Sequence, residues 1–239
     1  DPKTFAYYET LPERVAAVSE GKGNARVVYW PGEFNYSQII NFGVEHAKGD
    51  YLLLLNNDTE VISPDFIEEM MGYLQRPDAG VVGAKLYFAD HLVQHAGIVV
   101  GVRGALAHAN QDFSAKREGY LARAVRPGNF SAVTGACQMV RRDVFEQVGG
   151  YNEEFAVGFN DADFCLRVWE AGYRTIFTPY AELYHYEFTS RGREEANEEK
   201  LRRWKREQAL FMQRWPEFFL TGDPWLGPNL SAESEYFSI

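Results

Sequence analysis

The chain has 239 residues, of which 46% are hydrophobic and 24% charged. These are globular values, so a disordered, collagenous or coiled-coil chain is excluded, and the length falls between one domain and two. The net charge of −10 and the two cysteines, Cys137 and Cys165, exclude a general nucleic-acid binder and a disulfide scaffold. No apolar run approaches the roughly 18 residues of a membrane helix.

Residues 1–24 read as a helix followed by a Gly/Lys/Asn turn, with no signal-peptide pattern. The expectation is a chain that begins inside a domain, on a helix whose preceding strand is not part of this sequence. "RVVYW" (26–30) is rich in β-branched and aromatic residues and predicts a strand. Residues 36–49 place Ile39, Ile40, Gly43, Val44 and Ala47 at helical spacing and end in Gly49. "DYLLLLNND" predicts a strand buried on both faces that stops abruptly at three polar residues. The next helix is expected to have Ser63 as N-cap, Pro64 at its first position, and Phe66, Met70 and Leu74 on its inner face. "AGVVGAKLYF" is a further strand. Strand, helix, strand, helix, strand implies parallel crossovers and an α/β sheet.

Residues 90–130 read as a long, Gly-rich, irregular connection. A strand and a short helix closed by Gly149 and Gly150 follow, and then a helix over 160–172 capped near Asn160. "YRTIFTP" is a strand. Residues 193–215 predict a charged helix with Leu201, Trp204, Phe211, Met212 and Trp215 on one face, followed by an extended tail.

Three clusters can carry chemistry. Asn56, Asn57 and Asp58 sit at the carboxyl end of a strand, where open α/β sheets bind ligands. Their oxygens suit a hard divalent ion, and they equally suit a turn that caps the next helix. Asp161 and Asp163 lie in the first turn of a helix, two residues apart, and so face different ways. Asp163 fits a structural position. Asp161 is left to face a cleft, where a carboxylate beside a hydroxyl is a competent base. His185 follows a strand and is either a metal ligand or a structural hydrogen-bonder. Ser190 and Arg191 after it suit a phosphate. His95 and His108 lie in the long connection and could line a cleft.

In order and spacing these clusters resemble the family 2 glycosyltransferases of the GT-A fold, in particular the bacterial rhamnosyltransferase-like and O-antigen or cell-wall polysaccharide branch. The resemblance rests on "FNYSQIINFGVEHAKGDYLLLLNNDTEVISPDFIEEM", "VQHAGIVVG", "AVTGACQMVRRDVFEQVGGYNEEF", "NDADFCLRVWEAGYRTIFTPYAELYHYEFTSRG" and "GPNLSAESEYFSI". It implies an α/β, mostly parallel GT-A sheet flanked by helices, with a domain over 1–192 and a C-terminal helix and tail over 193–239 packing on it. About 30–40 further residues of nucleoside-gripping strands would precede Asp1.

The resemblance also implies roles. Asp58 would bind Mn²⁺ or Mg²⁺, with His185 as a further metal ligand. Asn56 and Asn57 would lie at a dTDP- or UDP-linked sugar donor, and Ser190 and Arg191 in a loop over its diphosphate. Thr134, Gly135 and Ala136 would lie beside a saccharide or lipid-linked acceptor. Asp161 would be the base of an inverting displacement, preceded by Asn160 where the family carries an acid. The implied setting is cytoplasmic, with peripheral contact at the inner face of the membrane. Two other readings stay open: a glycosyltransferase-like binding module without catalysis, and a nucleotidyltransferase.

Overall fold

The computed structural model describes residues 2–186 and 197–239. They form two compact units, residues 1–34 and 35–239. The first holds α1 (Pro2–Val18), which contains Pro12. Within this unit Phe5 packs edge-on to Tyr8 and at 6.0 Å from Tyr29. The strand expected at 26–30 is absent: these residues join no ladder among the described residues. β-propensity reports a side chain's fit to a pleated surface and cannot supply the neighbouring strand.

In the second unit, the nine residues of β3 (Ala79–Tyr87) are all buried. The strand lies between β8 (Cys137–Arg141) and β9 (Arg174–His185). The sheet order is β1-β8-β3-β9-β2, where β1 is Tyr51–Leu55 and β2 is Thr59–Val61. β4 (Val93–His95) adds to β3, and β7 (Gly128–Phe130) to β9. Alternate residues of β3 feed two cores. Val82, Ala84 and Leu86 meet Phe66, Met70 and Leu74 of α3 (Phe66–Leu74). Val81 joins the core of Phe164 and Val168 from α5 (Asn160–Glu170). Each fully buried side chain of this size contributes roughly 1.5–3 kcal/mol. Gly80 is required by close packing: a Cβ there would lie 2.5 Å from Val168.

The α/β class and the flanking helices agree with the sequence reading, but the strand directions do not. Among the described residues only β3 and β9 run parallel; β1–β8, β3–β8, β2–β9, β3–β4 and β7–β9 are antiparallel. β1 pairs only with β8 among the described strands, so Leu55 is exposed and Leu53 half-buried rather than enclosed on both faces. An apolar run records burial but not strand direction.

Helix starts also differ. α2 (Tyr36–His46) is capped by Asn35, whose Oδ1 accepts from Gln38 N at 3.1 Å. α3 begins at Phe66 because Ser63 is taken by β9, its N–H donating to Glu182 O and its Oγ accepting from Glu182 N. α5 has Phe159, not Asn160, at its N-cap, with φ of 64°.

The long connection is highly structured. It holds β4, the pair β5 (Ile98–Val100) and β6 (Leu106–His108), and β7. Three-residue strands are too short to show a period. The tail is folded too: after α6 (Glu198–Arg214) and α7 (Pro216–Thr221), Asp223 accepts from Val100 N at 2.7 Å, Glu235 pairs with Arg103 at 2.8 Å, and Phe237 is buried. On α6, Phe211 and Trp215 face inward as expected, but Met212 is exposed and Glu207 is buried. Asp163 anchors this helix. It is fully buried and accepts from Arg167 Nε (2.8 Å), Arg214 Nε (3.0 Å) and Trp215 Nε1 (3.1 Å).

Candidate active site

β1 ends at Leu55, and Asn56 N–H donates to Ala136 O at 2.9 Å. The chain turns through Asn57 and Asp58, with Thr59 Oγ1 donating to Asn56 O. It enters β2 rather than capping a helix. β2 runs antiparallel to β9 with Thr59 opposite His185, and Tyr186 N–H donates to Asp58 O. This register brings Asp58 Oδ1 to 3.2 Å from His185 Nε2.

The protons on His185 follow from its neighbours. Gln94 is buried and its Nε2 donates to His185 O at 3.2 Å, which fixes the amide's orientation. Gln94 Oε1 then lies 2.8 Å from His185 Nδ1, so Nδ1 carries the proton. The Nε2 lone pair of the neutral ring faces the Asp58 carboxylate and the Asn56 amide, whose Nδ2 is at 3.3 Å. With Asn56 Oδ1 turned to Tyr36 Oη, the Asn56 Nδ2–H is the donor that this lone pair faces, and the Asp58 carboxylate stands beside it as an acceptor. Burial pulls the His185 pKa down, against the pull of Asp58. Among the described residues no three His, Cys, Asp or Glu side chains converge. The pair offers one carboxylate and one imidazole nitrogen, a donor set that could contribute to holding a divalent ion.

Asp161 lies on the facing wall. Phe159, in the left-handed region, turns the chain into α5, and Asn160 secures the turn: its Nδ2 donates to Val157 O and its Oδ1 accepts from Asp161 N. Asp161 Oδ1 accepts from Ala162 N at 2.8 Å and Oδ2 from Gly135 N at 2.9 Å. One further lone pair on each oxygen is left for another donor. Tyr36 Oη bridges the walls, 3.0 Å from Gly135 O and 3.3 Å from Asn56 Oδ1. Burial, and then the Asp161 and Asp58 carboxylates, push the Tyr36 phenol well above its ordinary pKa, so it remains a donor.

These residues line one cleft of about 670 Å³. It brings together Asn56, Asp58, Thr134, Gly135, Ala136, Asp161 and His185. Asn57 is exposed in the turn, off the cleft wall. Ser190 and Arg191 lie outside the described residues. His108 lines the cleft, with His95 fully buried behind it, their Nδ1 atoms 3.1 Å apart. Tyr36, Gln94, Phe159 and Gln208 were not legible as site residues. Trp204 carried a signal only as an inner-face aromatic.

A mixed sheet between helical layers, with carboxylates at strand and helix ends around one cleft, defines a GT-A type of fold. Solved structures agree: GalNAc-T7 with UDP, GalNAc and Mn²⁺ matches at a TM-score of 0.61 and 14% identity, covering 88% of this chain and 41% of that one. The mannosyltransferase PcManGT of Pyrobaculum calidifontis, in complex with GDP-Man and Mn²⁺, matches at 0.50 and 15%, covering 78% and 47%. At these identities the likeness shows the fold alone. The chain belongs to the glycosyltransferase-like family 2, whose profile matches residues 15–208. It is 44% identical over 207 residues to the uncharacterized protein y4gI of Sinorhizobium fredii, covering 86% of this chain and 23% of that one. It is 36% identical over 227 residues to the O-antigen biosynthesis protein RfbC of Myxococcus xanthus, covering 93% and 17%. It is 29% identical over 158 residues to the N-acetylglucosaminyl-diphospho-decaprenol L-rhamnosyltransferase of Mycobacterium tuberculosis, covering 62% and 50%. The chain thus spans half or less of the length of these relatives.

Proposed function

We propose that this chain carries the catalytic centre of an inverting glycosyltransferase of surface polysaccharide synthesis, moving a sugar from a dTDP- or UDP-linked donor to a saccharide or lipid-linked acceptor. The names of the O-antigen and rhamnosyltransferase relatives support that setting. The observation that carries the reading is the facing of Asp58–His185 and Asp161 across one cleft, with Gly135 between them. The setting proposed is the cytoplasmic face of the membrane. No helix among the described residues is long and apolar enough to cross it.

In this mechanism Asp161, its carboxylate aimed by the amides of Gly135 and Ala162, takes the proton of the acceptor hydroxyl. The hydroxyl oxygen forms a bond to the anomeric carbon as the bond from that carbon to the donor diphosphate breaks, with inversion. Asp58 and His185 would hold the divalent ion. When bound, that ion neutralises charge on the departing diphosphate. Gln94 keeps the His185 proton on Nδ1 and so leaves Nε2 unprotonated, as a ligand must be. Asn56, Ser190 and Arg191 are assigned to the donor, and Thr134, Gly135 and Ala136 to the acceptor side; Asn57, off the cleft wall, is left without a part.

Titration calorimetry of UDP and dTDP with and without Mn²⁺, paired with a transfer assay, tests this. Metal-dependent nucleotide binding that Asp58→Ala weakens, together with transfer that Asp161→Asn abolishes, is the expected result. Nucleotide binding indifferent to Mn²⁺ would remove Asp58 and His185 from their role. Near-normal turnover of the Asp161→Asn protein would remove the base. Asn160, a neutral residue tied up in the turn, favours a second reading, a binding module without catalysis. Metal-dependent nucleotide binding with no transfer by the unaltered chain would assign it.

A further inference from the structure

The cleft is lined by two chemically different sets of groups. At the strand ends it presents carboxylate, imidazole and amide groups. The same cleft is lined by the rings of Trp204 and Phe159, by Leu106, and by the amides of Gln111 and Gln208. Trp204 and Gln208 are one helical turn apart and share a face. That face is held rigid: Phe211 and Trp215 are buried, and Glu207, between the two, accepts from Ala156 N at 3.0 Å and Gly158 N at 2.8 Å.

We propose that Trp204 and Gln208, with Phe159 beside them, seat a pyranose ring of the acceptor. This rests on the transferase reading and adds a saccharide subsite to it. A pyranose has a face of C–H groups and a rim of hydroxyls, so it is matched by an aromatic face beside side-chain amides, each amide offering both donor and acceptor. Trp204 is half-buried and packs on Phe159 at 5.8 Å between ring centroids, which fixes the indole while it still borders the cleft. The amides of Gln111 and Gln208 have no hydrogen-bond partner in the protein among the described residues. Phe159 and Asp161 line the same cleft, so a ring on this platform would share that cleft with the base. Trp204 and Gln208 both belong to α6, so that helix would bind substrate as well as cover the core.

Saturation-transfer NMR tests the subsite on this chain with two probes, methyl β-N-acetylglucosaminide and methyl α-L-rhamnoside. UDP–Mn²⁺ calorimetry on the same samples reports separately on the transferase reading. The expected result is binding of at least one glycoside with Kd of about 1–10 mM, the range of a single weakly held ring. Trp204→Ala should weaken it at least about tenfold, Gln208→Ala by about threefold to tenfold, and Trp204→Phe least. The UDP–Mn²⁺ affinity should be the same in all four proteins. If Trp204→Ala does not fold, Gln208→Ala and Trp204→Phe carry the comparison. Glycoside binding unchanged in the variants, no binding of either probe to the unaltered chain, or displacement of the glycoside by uridine would each overturn the proposal, whatever the calorimetry gives.

Discussion

The backbone amide of Gly135 donates to Asp161 Oδ2 at 2.9 Å, joining the approach to β8 to the first turn of α5. The same segment holds the other wall, because Ala136 O accepts from Asn56 N. Residues 135 and 136 therefore set the spacing between the proposed base and the proposed metal site. This is a backbone function, and it needs the small residue. A Cβ on Gly135 would lie 3.2 Å from Tyr151 Oη, 3.3 Å from Tyr36 Oη and 3.5 Å from Asp161 Cβ.

Gly135→Ala should therefore damage transfer more than folding. Tyr151 is buried and donates to Gln138 Oε1 at 3.0 Å, so its hydroxyl cannot move aside freely. The expected loss of stability is about 1–2 kcal/mol, the scale of mild overpacking. The expected loss of kcat is tenfold or more, on the order of what a misplaced reacting group costs. Urea unfolding and steady-state kinetics on one preparation would separate the two, and unchanged kcat would mean that the spacing of the walls is not set here.

What the sequence made legible follows from length and periodicity. The α3 face of Phe66, Met70 and Leu74 repeats every four residues, and β3 is an apolar run long enough to stand out. Asp58 and Asp161 could be placed because each sits at the end of such an element. Tertiary pairing could not be seen. β2 and β4 are three residues long, and Gln94 in β4 looks like any polar residue until β4 adds to β3 and brings it beneath His185. The strand expected at 26–30 failed for the converse reason, since local propensity was present and the ladder was not.

The Asp163 anchor should dominate the stability of the α5–α6 contact. The carboxylate is fully buried between two guanidinium groups and an indole N–H. Asp163→Asn leaves those cations without their counter-charge, and about 3 kcal/mol or more should be lost. Arg214→Ala should cost less, about 1 kcal/mol, because Arg214 is half-exposed and Arg167 still pairs with Asp163. Chemical denaturation of the two variants checks the order. Equal, small losses would show that the anchor is not the source of the contact's strength.

The His95–His108 pair should stay neutral in mildly acidic solution, each ring in one tautomer. His95 Nε2 accepts from Gly97 N at 3.3 Å and Thr134 N at 3.4 Å, so its proton is on Nδ1 and points at His108 Nδ1. That leaves the His108 proton on Nε2, in line with its hydrogen bond to the Gln94 backbone. Burial lowers both pKa values; His108 and then His185 lower His95 further, whereas Asp161 works against the shift at His108. A base whose folded pKa is depressed contributes stability above its unfolded value, here 6.5, and loses that contribution as pH falls toward the folded value. Nitrogen-detected NMR at about pH 6 should show a δ-tautomer and an ε-tautomer. A doubly protonated ring at that pH would refute the arrangement.

Glu207 should give the opposite pH dependence. Its two oxygens hold the amides of Ala156 and Gly158, just before the left-handed Phe159 that starts α5, a conformation costing about 1–2 kcal/mol for a bulky residue. Burial raises the Glu207 pKa, outweighing the backbone N–H bonds and Arg203 that pull it down. An acid whose folded pKa is raised holds its proton more tightly in the folded chain. Its contribution is full below the ordinary value of 4.5 and is lost as pH rises through the folded value. Glu207→Gln removes that proton. The stability gap between the unaltered chain and this variant should therefore be widest near pH 4 and narrow toward pH 7, a trend set by linkage and independent of the lost hydrogen bond of about 1 kcal/mol. Urea unfolding of both proteins across this range measures the gap directly. A gap that widens with rising pH would mean that the backbone amides, and not burial, control this carboxylate.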